Sequence, residues 1–424
     1  MVPPASSKES PCANPFPQIA SFTVNSLRLE APPLLDFPMI RFPTLFVLLL
    51  PLLGSLGASG QEPQARIVGG TKAPTGSHRW IAAVANTGGA PLFNRQFCGG
   101  SLVAPDWILT AAHCVEDEIP GRIMVVVGLT NLDDTSDAQT RRVRGIFSHP
   151  RYRDRDGDLF NDIALLLLSS PIDNIDPIPF APAFNTIFPG TTLRALGWGE
   201  TKSIPRFPRE LRMADLDVVP IARARRAYGT PDLDRRHLAA YSTGRDTCSG
   251  DSGGPLFLDS TPPLLAGITS FGIGCARRNT PGIYTNVGNF APWIRSFLNQ
   301  SLAAPPSLRV RGRGHPIRSG GAPPSRRNDT DFGRRVPPGQ QVAKRFVLVN
   351  GRGGTPLSIH AVRSTNRQFR IGNSPPYLLS GRTGRLAVFF RNPGGPAGVV
   401  QSRIIIRTND PARRIYSFRV RARR

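Results

Sequence analysis

Gly244-Arg245-Asp246-Thr247-Cys248-Ser249-Gly250-Asp251-Ser252-Gly253-Gly254-Pro255 sets a serine among glycines. A serine hydroxyl attacks a carbonyl only when a base removes its proton. The attacked carbonyl then gathers negative charge, which fixed backbone N–H groups stabilise. Glycines on both sides of a serine let the chain turn sharply and approach a bound substrate closely. Ser252, after Gly250 and before Gly253 and Gly254, has those surroundings. An ordinary glycine-serine loop has them too, so the rest of the chain must supply the base and its orienting partner.

Upstream, Thr110-Ala111-Ala112-His113-Cys114 offers a base, and Asn161-Asp162-Ile163-Ala164-Leu165 offers a carboxylate. A histidine beside a cysteine is often only structural. Asp162, however, opens a strongly apolar run, where a carboxylate is costly to bury without a partner. Together with Ile67-Val68-Gly69-Gly70, these motifs stand in an order that resembles the trypsin/chymotrypsin family of serine endopeptidases over residues 67–300. The resemblance implies an all-β fold of two six-stranded antiparallel barrels and a closing C-terminal helix. It makes Ser252 the nucleophile, His113 the general base and acid, and Asp162 its orienting group. The Gly250 and Ser252 N–H groups become the oxyanion hole.

It also implies a switch. Cleavage between Arg66 and Ile67 frees an ammonium that pairs with Asp251 and shapes the oxyanion hole, because a buried charge demands a partner. Asp246 becomes the floor of a side-chain pocket, where a carboxylate favours arginine or lysine. Ser270, Gly272 and Gly282 lie on the pocket walls, which a Cys248–Cys275 disulfide ties together. Arg66 itself suits such a pocket, so the enzyme is expected to activate itself or a sibling. Cys98 and Cys114 bracket a pair of strands and are expected to be bonded in a secreted chain. Two cysteine pairs usual in the family are absent. Leu193 and Leu258 occupy one pair's places, Ala224 and Ala239 the other's, which suggests apolar packing in place of cross-links. Phe271 stands where tryptophan is more usual.

Short apolar runs such as 80–84 and 123–127 between Gly and Pro turns fit barrel strands. The stretch 293–298 reads as the closing amphipathic helix, with Pro292 just inside its start. Asp133, Asp134 and Asp137 match no metal loop and read as solvated. No cofactor or metal is expected.

Ahead of residue 67, residues 1–38 are Pro-rich and carry the unpaired Cys12, and we expect them to be a spurious extension. Met39 then begins a signal peptide over 39–60, with Arg41, the apolar run 45–53 and small residues at 58–60. Residues 61–66 would be an activation propeptide.

The charge is uneven. Residues 67–300 carry 24 Lys and Arg against 22 Asp and Glu, whereas 301–424 carry 25 against 3. So sharp a contrast predicts a boundary near residue 300. Residues 301–328 read as a linker poor in apolar groups. About seven short β-like runs follow over 329–424, including 345–350, 357–362, 385–390, 402–408 and 414–420, and suggest an Ig-like β-sandwich. Asp331-Phe332-Gly333, Phe346-Val347-Leu348-Val349-Asn350 and Thr408-Asn409-Asp410-Pro411 resemble Hydin/ASH repeats and bacterial choice-of-anchor D modules. That resemblance implies a bacterial extracellular protein. The arginines either keep the module soluble or bind an anionic surface such as an acidic polysaccharide. Sparse aromatics place nucleic acid last.

The expected function is a secreted trypsin-like endopeptidase that cleaves proteins or peptides after arginine or lysine. The alternative is an inactive protease-like scaffold with a cationic adhesion domain, which would require the loss of a catalytic group.

Overall fold

A computed structural model describes residues 69–183, 186–201 and 207–424. The expected extension, signal peptide and propeptide, with Arg66 and Ile67, lie outside the described residues.

In chain order the first elements are β1 (Thr71–Lys72), β2 (Ile81–Asn86), a short α1 (Leu92–Arg95), β3 (Gln96–Ala104), β4 (Trp107–Thr110), β5 (Ile123–Val127), β6 (Gln139–Ser148), the small hairpin β7 (Arg153–Arg155) and β8 (Asp158–Phe160), and β9 (Ala164–Leu168). Six of them close into a barrel in the order β2-β3-β4-β9-β6-β5. The valine-rich β5 and leucine-rich β9 are buried almost throughout. Branched side chains suit such a pleated surface covered on both faces.

The second barrel follows: β10 (Thr192–Gly197), β11 (Arg212–Val219), α2 (Ile221–Tyr228), β12 (His237–Tyr241), β13 (Pro255–Leu258), β14 (Leu264–Phe271), β15 (Gly282–Asn286) and α3 (Val287–Leu298). Here β11-β10-β13-β14-β15-β12 run side by side, and β12 pairs back onto β11 to close the ring. The strand β1 pairs with β11, so the chain near residue 71 is stitched to the second barrel.

The closing helix departs from expectation. It begins at Val287, which leaves Pro292 inside it rather than at its start. The ring removes one helical N–H. Burial of Val287, Phe290, Ile294 and Phe297 along one face outweighs that loss. The absent cysteine pairs are replaced by packing. Leu193 and Leu258 join one apolar cluster, and Ala224 and Ala239 join another.

Beyond the helix the chain forms β16 (Leu308–Gly312), β17 (His315–Ile317), β18 (Asp331–Arg335), β19 (Gln341–Asn350), β20 (Leu357–Ser364), β21 (Phe369–Ile371), β22 (Tyr377–Leu378), β23 (Thr383–Arg391), β24 (Val399–Thr408) and β25 (Ile415–Arg423). They make two five-stranded sheets, β17-β16-β19-β23-β21 and β18-β25-β24-β20-β22. One apolar cluster, with Phe346, Leu386 and Phe390 from the first sheet and Ile404, Phe418 and Val420 from the second, lies between them. The linker expected over 301–328 is therefore corrected. Residues 308–312 pair with β19, because Leu308 and Val310 alternate inward while Arg309 and Arg311 face water. Eight strands stand over 329–424 where about seven were expected, and β16 and β17 add two from the supposed linker.

Candidate active site

The site is assembled where elements of the two barrels meet. His113 follows the end of β4, and Asp162 precedes β9, which pairs with β4. Asp162 is fully buried. Its Oδ1 accepts the His113 backbone N–H at 2.9 Å, and its Oδ2 lies 2.8 Å from His113 Nδ1. The Ser270 hydroxyl donates to the same Oδ2 at 2.6 Å, and the Thr285 hydroxyl donates to the Asp162 carbonyl at 2.7 Å. The carboxylate thus gains donors from both barrels. Burial alone would raise its pKa, but the His113 charge and these hydrogen bonds hold it below the usual carboxylate value. For His113 burial acts downward, yet the charge and hydrogen bond of Asp162, with help from Asp154 and Glu116, leave its pKa raised above 6.5. A proton held on Nδ1 by Asp162 leaves Nε2 as the basic nitrogen.

Ser252 is buried on the turn between the Cys248 region and β13. The fit of that turn depends on its glycines. A Cβ on Gly253, whose φ is +76°, would come within 2.3 Å of Thr110 Oγ1 and 3.2 Å of the Ala111 nitrogen. A Cβ on Gly99 would come within 2.9 Å of the Gly254 Cα. The Gly99 N–H donates to the Ser252 carbonyl at 2.7 Å. These contacts seat the serine turn against the segment that leads into His113. Among the described residues, the Gly250 and Ser252 N–H groups are not committed to a backbone acceptor. The Gly250 carbonyl is held instead, by Gln96 Nε2 at 3.2 Å.

Asp251 is wholly buried, and its oxygens accept the Gly199 N–H at 2.7 Å and the Cys248 N–H at 2.9 Å. Gly197 and Gly199 enclose it so closely that a Cβ on either would overlap the carboxylate. Burial, with the Asp246 charge behind it, outweighs the two hydrogen bonds and pushes its pKa up to about 7.

Asp246 is buried, and its Oδ2 accepts the Ala276 N–H at 2.8 Å. Gly282 lies over it, where a Cβ would be 3.0 Å from Asp246 Oδ1. Near Gly272 a Cβ would meet nothing closer than 3.6 Å. The hydroxyl of Ser270, the residue expected on the pocket wall, points to Asp162. The Cys98–Cys114 and Cys248–Cys275 disulfides both form. The first fixes the chain beside His113, whose Nε2 lies 3.7 Å from Cys114 Sγ. Although Cys98, His113 and Cys114 cluster closely, the bonded sulfurs are not thiolates and make no metal site. In the acidic loop, Asp133 pairs with Arg209 at 2.6 Å and Asp134 accepts from Ser136.

Sequence reasoning missed Ser270, Thr285 and Gln96 as parts of the network. The Thr269-Ser270 pair at the end of an apolar strand was a signal for the first. Nothing in the sequence marks Gln96.

Two closed barrels with a half-buried histidine paired to a buried carboxylate, and a glycine-framed serine turn packed on the histidine segment, define the architecture of a serine protease. The Trypsin family model matches residues 67–294, more than half the chain, and the chain belongs to the trypsin family. It is 36% identical over 274 residues to rat glandular kallikrein-10, covering 61% of this chain and all of that protein. It is 35% identical over 275 residues to mouse tryptase, covering 60% of this chain and 97% of the relative. It is 34% identical over 249 residues to the serine proteinase stubble of Drosophila melanogaster, covering 55% of this chain and 31% of that longer protein.

Proposed function

We propose that this chain is a secreted endopeptidase, made as a zymogen, that cuts proteins or peptides after arginine or lysine. The observation that carries the reading is the contact of His113 Nδ1 with the buried Asp162 Oδ2 at 2.8 Å, joined to a serine turn that fits against Thr110 and Ala111 because residue 253 is glycine. Ser252 Oγ attacks the scissile carbonyl while its proton passes to His113 Nε2. The oxyanion is held by the Gly250 and Ser252 N–H groups. The C–N bond breaks as His113 returns the proton to the leaving amine. Water, deprotonated by the same imidazole, then hydrolyses the acyl-enzyme.

Asp246 at the pocket base supports the cationic preference, with glycine at 272 and 282 leaving space for a long side chain. Asp251 supports the switch. It is a carboxylate buried at a pKa of about 7, and among the described residues no cation is paired with it. Gly69, two residues beyond Ile67, lies against the Gly244 carbonyl, so a new amine at Ile67 would have a reach of about 7 Å from that fixed point. Labelling with a fluorophosphonate after cleavage at Arg66, together with turnover of arginyl and lysyl amides, tests the proposal. A processed protein that neither labels nor hydrolyses them overturns it.

The two-sheet module at the C-terminal end is read as Ig-like, with an acidic polysaccharide as its partner. Its outer β20–β24–β25 face carries exposed Arg363, Arg403, Arg407 and Arg419, and Arg403 lies directly opposite Arg419. Like charges facing across strands repel, and a bound polyanion would relieve that repulsion. The module's acids are engaged elsewhere: Asp329 with Lys344, Asp331 with Arg421, and Asp410 with backbone N–H groups. Full-length protein should be retained on a sulfated polysaccharide and released by a few hundred millimolar salt, roughly the range in which screening becomes short. An Arg403→Glu/Arg419→Glu variant should elute earlier. Co-elution of the two proteins contradicts the assignment.

A further inference from the structure

The two-sheet module does not hang from the protease by a loose tether. After α3, Leu302 packs on the core of the first barrel, and the Ala304 carbonyl accepts both the backbone N–H and the hydroxyl of Thr355, at 2.7 and 2.9 Å. The module then grips the barrel at two points.

The first is the far end of β6. β5 pairs with β6 only over 139–142, so the edge of β6 beyond Arg142 receives no cover from it. The start of β20 covers that edge. The buried Ser358 hydroxyl donates to the Ile146 carbonyl at 2.6 Å. Ser358 is itself fixed, since its N–H donates to Asn409 Oδ1 at 2.8 Å and its Oγ lies 3.0 Å from His360 Nδ1. Burial pushes the His360 pKa down to about 4, so the ring is neutral near pH 7 and the Nδ1–H tautomer can donate to Ser358. Gly145 makes the approach possible, because a Cβ there would be 2.7 Å from the Phe147 ring and 3.1 Å from Asn409 Nδ2.

The second point is Tyr377. Its ring centroid lies 4.8 Å from that of Phe297 and 6.1 Å from that of Phe147. Its hydroxyl accepts the Trp293 indole N–H at 2.8 Å. Trp293 in turn packs edge-on against His149, which begins the turn after β6.

Both grips lead to the catalytic carboxylate. Ile146 and Ser148 face Leu166 and Ala164 across the β6–β9 ladder, and the His149 N–H donates to the Ile163 carbonyl at 2.9 Å. Ile163 is the residue after Asp162. We propose that Ser358 and Tyr377 are positioning residues for the protease: the module braces β6 and the 149 turn, and so holds Asp162 and His113 in register. The module would then be a working part of the enzyme, and its attachment a condition of full turnover. This rests on the triad reading above.

The test uses the full chain with Ser358→Ala, Tyr377→Phe and the double variant, each a small change. A purely structural tie would lower the melting temperature and leave kcat and KM alone well below it. The brace predicts a drop in kcat of about tenfold in the double variant, from loosened alignment, with KM within about twofold. An unchanged kcat overturns the proposal even if the melting temperature falls. Hydrogen exchange supplies a readout that does not depend on activity. Exchange should rise in peptides covering 143–165 and stay constant in β10 and β13. A uniform rise, or none, contradicts the brace. If the parent hydrolyses nothing, the triad reading has failed, and exchange alone decides whether the brace exists.

Discussion

The two halves of the molecule bury polar groups for different ends. In the two-sheet module, buried polar side chains complete the backbone. Asp410 accepts from the N–H groups of Leu308, Ala412 and Arg413. Asn350 joins Ser307, Thr355 and Leu378, and Asn392 donates to the Val336 carbonyl and accepts from Gly394. In the barrels, Asp251 and Asp246 also accept backbone N–H groups, but Asp162 faces a histidine ring that follows another strand. A carboxylate turned towards N–H groups of its own turn explains a turn. One held by a side-chain base from another strand requires a chemical explanation, since burial of such a charge is costly unless it is used or paired.

That contrast can be broken by mutation. Ser252→Ala should reduce kcat on the order of a millionfold and leave thermal stability almost unchanged, as assayed by amide hydrolysis and calorimetry. Asp246→Ser should lower kcat/KM for arginyl amides about a hundredfold, the loss of one buried charge-assisted contact, and narrow the preference over apolar residues. The pH profile sharpens the comparison further. His113 must be neutral to act as base, and its pKa is raised above 6.5, so kcat/KM should fall on acidification with a midpoint above that value. Asn392→Ala, by contrast, should cost about 1–3 kcal/mol in denaturant unfolding and leave kcat unchanged. The smallest effect belongs to the exposed Arg209–Asp133 pair, where Arg209→Ala should cost less than about 1 kcal/mol.

Much of the candidate site was legible because the proposed chemistry demands particular residue types in a fixed order. Ser252 needs glycines around it, and Asp162 announces itself as a charge at the head of a leucine strand. Packing that depends on direction was not legible. The bond from the Ser270 hydroxyl to Asp162 depends on which way that side chain turns, which its place in the chain does not give. Pro292 read as a helix start because proline favours the first turn, and tertiary burial carried the helix through it. Residues 308–312 read as linker because arginines and a glycine mask the inward alternation of Leu308 and Val310. The Ser358–Ile146 contact joins positions 212 residues apart, and no local pattern announces it.

The central claim is that His113, Asp162 and Ser252 act as one unit once the chain is cut before Ile67. Mass spectrometry of the cleaved protein after fluorophosphonate treatment tests it most directly. The account predicts one adduct, on Ser252, absent from both the uncut chain and a His113→Ala variant. Equal labelling of all three proteins, or none of the cleaved parent, would contradict it.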